Sequence, residues 1–248
     1  GRSPVCYSSL HVLLDYEIVF LMSTLFVVAT PIGNLEDMTF RAIRILKEVS
    51  IIACEDTRTT KVLLDHYGIK TPTTSYHSHS TKGKEEHIID LLKDGKDVAL
   101  VSDAGTPAIS DPGVLLVERV HKDLAGEVKI VAVPGASALT SAYSISGISG
   151  NEFTFLGFLP HKKGRETLFK EISESKRTVM FYESPHRIEK TIAELVKYLD
   201  KDRIVAISRE LTKHFEEVVR GDAEYIQNYF LTNKDKVRGE FVVVVSGR

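Results

Sequence analysis

The chain has 248 residues, 43% hydrophobic and 27% charged, enough for two domains of ordinary size with sizeable cores. No run of about 18 uncharged apolar residues offers a membrane span, and a formal net charge of -2 excludes a generally basic nucleic-acid binder, leaving any RNA contact to a local patch. Two cysteines, Cys6 and Cys54, without a CxxC spacing exclude a disulfide framework and point to a reducing compartment, the cytoplasm.

Residues 1–22 end at Met22; Asp15 and Glu17 interrupt their apolar character and no small-residue cleavage site follows, so the segment reads as a leader or added extension. Beyond it, "LFVVAT" (25–30), "IIACED" (51–56), "VALVSD" (98–103) and "VKIVAVP" (128–134) are β-branched, nearly continuous apolar runs, as in strands buried on both faces of a parallel sheet. Between them Phe40, Ile43, Leu46 and Val49, then Ile88, Leu91 and Leu92, then Val114, Val117, Val120 and Leu124 recur near helical spacing. Small and polar residues at 146–152 suggest a boundary. After it come strands at 153–158, 178–184, 203–211 and 241–247, with helical patterns at 187–199 and 222–230. The expectation is two α/β domains, 23–150 and 151–248, with a ligand cleft between them and the site at the carboxyl ends of the strands.

The loops narrow the chemistry. The first strand runs into "TPIGNLED" (30–37) with a single glycine, so GxGxxG and NAD binding are disfavoured, as is a P-loop. The turn reads equally well as ordinary turn chemistry with Asp37 as a helix cap. "YHSHS" (76–80) offers His77 and His79 without a third ligand, a loop at the cleft mouth rather than a zinc site. In "SDAGTPAISDPG" (102–113), Asp111 before Pro112 reads as an N-cap followed by a first-turn proline. Gly105, Thr106 and Pro107 would expose backbone groups to a ligand, with Asp103 capping the same turn. The carboxylates left over are too few for a metal site. "VPGASAL" (133–139) lacks GxSxG, so acyl transfer is disfavoured; its small residues open a helix onto which a flat ligand can pack.

"TPIGNLEDMTFRA", "EDTRTT", "SDAGTPAISDPG", "VPGASA", "FYESPHR" and "RELTKHFEE", in this order, resemble the small-subunit ribosomal RNA cytidine 2'-O-ribose methyltransferases of the tetrapyrrole methylase superfamily. The resemblance runs from Leu25 to about Arg248; relative to that family the chain carries extra residues before Met22 and ends without a further small helical segment. It implies S-adenosylmethionine bound in the interdomain cleft. Carried over by motif, the donor would meet Pro31, Ile32, Gly105, Thr106, Pro107, Ile109, Ser137 and Ala138, and from the second domain Met180, Tyr182, Leu211, Glu240 and Phe241. For Met180 and Phe241 plain core packing is an equal alternative. The implied partner is small-subunit ribosomal RNA or the assembled 30S subunit, and the implied assembly a homodimer.

Methyl transfer to a ribose hydroxyl needs in-line positioning and a group that takes the hydroxyl proton. Glu183, Glu210 and Lys213 are the candidates at strand ends, with Glu55 and Asp56 as alternatives; each is also an ordinary salt-bridge partner by type. RNA phosphates would be gripped by Arg58, Lys162, Lys163, Arg165, Arg187 and Arg209, with Arg41, Arg44, Lys61, His186 and Lys213 further candidates. Phe181, Tyr182 and Phe215 lie beside these charges as possible base-stacking rings. Two other readings stay open: a tetrapyrrole or other small-molecule methyltransferase of the same fold, against which the basic residues weigh, and a non-catalytic RNA-binding protein, against which the unspoiled loop at 105–113 weighs.

Overall fold

The computed structural model describes residues 22–77 and 82–248. Most of the leader assigned to 1–22, and His79, lie outside the described residues. Strands β1 (Ser23–Val28), β2 (Ile51–Cys54), β3 (Thr73–Ser75), β4 (Val98–Leu100) and β5 (Val128–Val133) form one sheet in the order β3-β2-β4-β1-β5. Every pairing in it is parallel. Helices α1 (Phe40–Glu48) and α2 (Thr57–His66) cover one face, where Leu46, Ile52, Leu63 and Val28 meet. Helices α3 (Lys82–Lys93) and α4 (Gly113–Asp123) cover the other, through Ile88, Leu92, Leu116 and Leu25. Strands covered on both faces must be apolar on both, which is why β4 reads as an unbroken apolar run. Because β4 and β5 flank β1, the loops that leave all three converge at one end of the sheet.

The second sheet has the order β6-β7-β10-β8-β9, made of β6 (Phe153–Phe158), β7 (Thr178–Glu183), β8 (Val205–Arg209), β9 (Glu217–Gly221) and β10 (Phe241–Val245). Only β6 and β7 run parallel; the other three pairings are antiparallel. Helices α6 (Arg165–Glu174), α7 (Ile188–Tyr198) and α8 (Ala223–Thr232) pack on one face. Alternation along β7 sends Val179 and Phe181 toward those helices and Met180 the other way. There Met180, Ala206, Val242 and Val244 join Ile32 and Ala142 of the first half in one buried cluster. Helix α5 (Ala138–Ile145) brings Ala142 to it, so the first unit's loop and helix pack on the second sheet in an apolar floor common to both units. No helix among the described residues is long and apolar enough to cross a membrane.

Two α/β units are present, and some expected details differ. Phe40 is 94% exposed, at the first position of α1, which buries Ala42, Ile45 and Leu46 instead. Strand β3 is three polar residues and β9 reads "EVVRG", an edge strand with charges, so neither has the apolar run that marks the central strands. Helix α6 starts at Arg165, so of the basic residues at 162–165 only Arg165 is helical.

Candidate functional site

The loops leaving β1, β4 and β5 are joined by short-range hydrogen bonds. Thr30 and Gly105 exchange both backbone bonds, at 2.9 and 3.1 Å, a single antiparallel bridge at the end of a parallel sheet. Gly105 holds φ +83, and a Cβ built on it would stand 3.2 Å from Ile32 Cγ2. Thr106 Oγ1 donates to the Ala136 carbonyl at 3.2 Å, which ties in the turn after β5. Ala108 (φ 69) and Ser110 (φ 64) lie in the left-handed region, at a cost of about 1–3 kcal/mol each. Asp111 spans this turn: its Oδ1 accepts the N–H groups of Ala108 (2.9 Å) and Gly113 (2.7 Å). Helix α4 begins at Gly113 with Pro112, in helical dihedrals, at the N-cap; Asp111 stands one residue before the cap position expected of it and serves the helix through the Gly113 N–H. Asp103 does not cap its own turn; it reaches across and accepts the Asp56 N–H at 3.1 Å. Asp37 is not a cap either, since Asn34 caps the short 3-10 turn at 35–37 and Thr39 caps α1.

Beside these loops lies a cavity of about 460 Å³ between the two units. Its wall takes Ile32, Gly105, Thr106, Ile109, Ser137 and Ala138 from the first half. From the second come Tyr182, Glu183, Leu211, Glu240 and Phe241. Three expected members stand back from it. Pro31 and Pro107 belong to the supporting turns, and Met180 is 0% exposed within the shared floor. Burial, partly offset by a hydrogen bond with the Leu139 backbone, pushes the Tyr182 hydroxyl up, so it stays a neutral phenol. Phe158, Ser184 and Pro185 also line the cavity and were not legible as site residues, because their placement depends on β6 and β7 in the second sheet; Ser102, just after β4, lines it too. A second pocket, about 470 Å³, lies at the far end of the second sheet among Arg177, Arg220 and Arg248 and shares no residue with these loops.

The three residues singled out to take a proton are all engaged. Glu183 has a side chain 0% exposed; its Oε1 stands 2.8 Å from Arg187 Nε and accepts the Ser184 N–H, and its Oε2 accepts Thr191 Oγ1 at 2.6 Å with Arg165 Nη2 at 3.8 Å. Such a carboxylate, with both oxygens engaged, holds neighbouring segments together. Burial alone would raise the Glu210 carboxyl, but the Glu240 N–H and the Lys213 ammonium outweigh it and hold the group below the usual range. Lys213 is the converse: burial would lower it, while bonds to Glu240 (2.8 Å) and Glu210 (3.0 Å) keep it above its ordinary value, hence charged and unable to accept a proton. Its side chain also lies over Gly33, where a Cβ would come within 2.5 Å of Lys213 Cγ, fastening the two halves at the rim.

The alternatives separate clearly. Asp56 caps α2 and pairs with Arg58 at 2.7 Å; the Arg58 hydrogen bond leads in pulling its carboxyl down to about 2. Glu55, at the end of β2, lines the cavity and forms no ion pair among the described residues. Burial first, then the nearby carboxylates of Asp111 and Asp103, push the Glu55 carboxyl up, partly offset by the Asp103 backbone.

Of the cations expected to meet phosphates, Lys162 and Lys163 are exposed. Arg58 is exposed too, although paired with Asp56. Arg165 and Arg187 are instead half-hidden tethers, donating to the carbonyls of Pro160 (3.1 Å) and Leu159 (2.7 Å). Arg209 is 6% exposed and faces Glu217 at 3.6 Å, buried by its place on β8 between β9 and β10. Arg41 and Arg44 line a separate pocket with Glu48 and Asp97. Phe181 is core at 0% exposed, and Phe215 is exposed with the Arg238 guanidinium 5.8 Å from its ring.

Comparison with known proteins agrees with this architecture. The family model described as Tetrapyrrole (Corrin/Porphyrin) Methylases matches residues 24–227. The protein named ribosomal RNA small subunit methyltransferase I in Thermotoga maritima is 45% identical over 92% of this chain and 100% of its own length. Its namesake in Bacillus subtilis is 47% identical over 91% of this chain and 76% of its own. Uroporphyrin-III C-methyl transferase from Thermus thermophilus, solved in complex with S-adenyl homocysteine, superposes with a TM-score of 0.60 at 16% identity, covering 90% of this chain and 97% of that one. The overall fold is thus shared, and the chain belongs to the tetrapyrrole (corrin/porphyrin) methylase family, among the proteins named ribosomal RNA small subunit methyltransferase I.

Proposed function

We propose that the protein transfers a methyl group from S-adenosylmethionine to the ribose 2'-hydroxyl of a cytidine in small-subunit ribosomal RNA. The observation that carries this is the cavity beside Gly105, whose wall is apolar at Ile32, Leu211 and Phe241 and polar at Thr106 and Ser137. The donor fits it by size and chemistry. Pockets for ligands of that class run about 300–1,000 Å³ and are mostly apolar with a few placed polar groups. The turn at Gly105 also admits a ligand where a side chain would block it. When bound, the sulfonium supplies an electrophilic methyl. The residues of the chain then have two tasks, to hold the ribose hydroxyl in line and to take its proton. Glu55 suits the second: it is on the wall, without an ion pair among the described residues, and raised toward the range where a carboxylate is an effective base. The lysines of 162–163 and the ammonium of Lys213 suit the polyanionic acceptor.

The names of the relatives support RNA as acceptor, and the test is direct. Incubation with labelled S-adenosylmethionine should mark the RNA of small-subunit particles that lack the modification, at one ribose-methylated cytidine located by primer-extension stops. Label entering a tetrapyrrole and not the RNA would overturn the reading. The implied homodimer is checked by light scattering on the same preparation. Lys213 is not on the cavity wall, so Lys213→Ala should leave donor affinity within about threefold and lower transfer roughly tenfold, the loss of one charged contact. Equal transfer by the variant would remove Lys213 from the acceptor side.

A further inference from the structure

One aromatic ring at the cavity mouth is turned into place by an irregularity in the second sheet. Strand β6 pairs with β7 in regular register through Phe153, Thr154 and Phe155, opposite Thr178, Val179 and Met180. Continued, that register would set Gly157 opposite Tyr182 and send Phe158 to the helix-covered face with Phe181. Instead the register slips by one residue, and Phe158 stands opposite Tyr182. A slip of one residue moves a side chain to the opposite face of a sheet, and bulges near active sites often re-aim one in this way. Gly157 absorbs the slip with φ +63, and a Cβ there would lie 2.9 Å from Ser110 Oγ, so this bend also touches the loop that carries Gly105.

The result is a large apolar ring left 57% exposed on the cavity wall. It is supported from behind: Phe158 and Tyr182 have centroids 5.4 Å apart, and Phe155 stands edge-on to Tyr182 at 4.9 Å. The chain just after it is fixed, since Arg187 and Arg165 hold the carbonyls of Leu159 and Pro160 and are themselves drawn in by the buried Glu183. The next turn carries Lys162 and Lys163, both exposed. A rigid, solvent-facing ring next to free lysines matches the arrangement by which proteins take up single-stranded nucleotides, with bases on aromatic faces and phosphates on cations.

We infer that Phe158 is the stacking platform for a base of the acceptor RNA, the target nucleotide or its immediate neighbour, held out of its own stack at the cavity mouth. The inference rests on the RNA-methylating reading. Glu183 is then a positioning residue, acting through Arg165 and Arg187 on the segment that presents the ring and the lysines.

The test compares wild type, Phe158→Ala and Phe158→Tyr, with S-adenosylhomocysteine affinity measured by calorimetry and methyl transfer measured on unmodified small-subunit particles. Phe158→Ala should raise the KM for particles about tenfold, within the range one base–aromatic stack contributes, with S-adenosylhomocysteine affinity within twofold; Phe158→Tyr should restore the KM. The chain has no tryptophan, so Phe158→Trp provides a single tryptophan whose selectively excited emission should be quenched by small-subunit RNA and not by S-adenosylhomocysteine. If wild type transfers to RNA while Phe158→Ala keeps a wild-type KM, the stacking role is wrong and the function stands. If Phe158→Ala loses S-adenosylhomocysteine affinity in parallel, the ring packs on the donor and the inference falls. If wild type transfers no methyl to any RNA, both fall together.

Discussion

Replacing Gly105 with valine should abolish S-adenosylmethionine binding while the chain still folds. Two independent obstacles arise at this position. The backbone holds φ +83, where a β-branched residue is a genuine outlier, and an L residue forced there loses about 1–2 kcal/mol. The added carbon atoms also start 3.2 Å from Ile32 Cγ2, on the cavity side, so either Ile32 or the loop must move. Movement of the loop breaks the paired bonds with Thr30 that set the wall. A typical stability of about 5–15 kcal/mol can absorb the strain, so the melting temperature should fall by a few degrees. Calorimetry should nevertheless detect no donor binding. A folded Gly105→Val protein that binds the donor at wild-type affinity would show that the loop is not the donor seat.

Glu55→Gln should lower the rate of methyl transfer by about 10² to 10⁴-fold, the usual contribution of a positioned base, with donor affinity nearly unchanged. The pH dependence gives a second readout. Transfer needs the ionised carboxylate, and burial with the neighbouring carboxylates of Asp111 and Asp103 has pushed its pKa up. Wild-type transfer should therefore fall as pH drops through a value above that of an ordinary glutamate, and the glutamine variant's residual transfer should lose that limb. Stability moves in the opposite sense. Between the unfolded and the raised folded pKa the native state binds the extra proton, so ionising Glu55 costs stability as pH rises through that window. Glu55→Gln removes the cost, and its melting temperature at neutral pH should be slightly higher than wild type. A variant that transfers at the wild-type rate would move the proton elsewhere, and Glu183, Glu210 and Lys213 are poorly placed to receive it.

Features that depend on neighbours in the chain were legible in the sequence. The central strands are apolar runs, Asp111 precedes the proline it caps beside, and Gly105 sits in a turn just after a strand; each is set within a few residues. Features set by distant partners were not. Glu183, Arg165 and Arg187 have the composition of a catalytic carboxylate with phosphate-gripping arginines, yet they neutralise one another across β7, α6 and α7. Arg209 has the composition of an RNA contact and is buried because β9 supplies Glu217 opposite it, and β9 itself lacks an apolar signature. Phe158 was passed over for a similar reason: alternation alone puts it on the core face, and only the slip at Gly157 brings it to the cavity. Glu55 was one of several acidic residues until the partners of the others were known.

The apolar floor shared by Ile32, Ala142, Met180 and Val242 has a thermodynamic consequence. Because it draws on both units, unfolding either strips water-excluding cover from the other, and the cavity exists only when both are folded. A ligand bound there is linked to the folding of the whole chain: whatever free energy its occupancy contributes, set by its concentration relative to its dissociation constant, stabilises both units together.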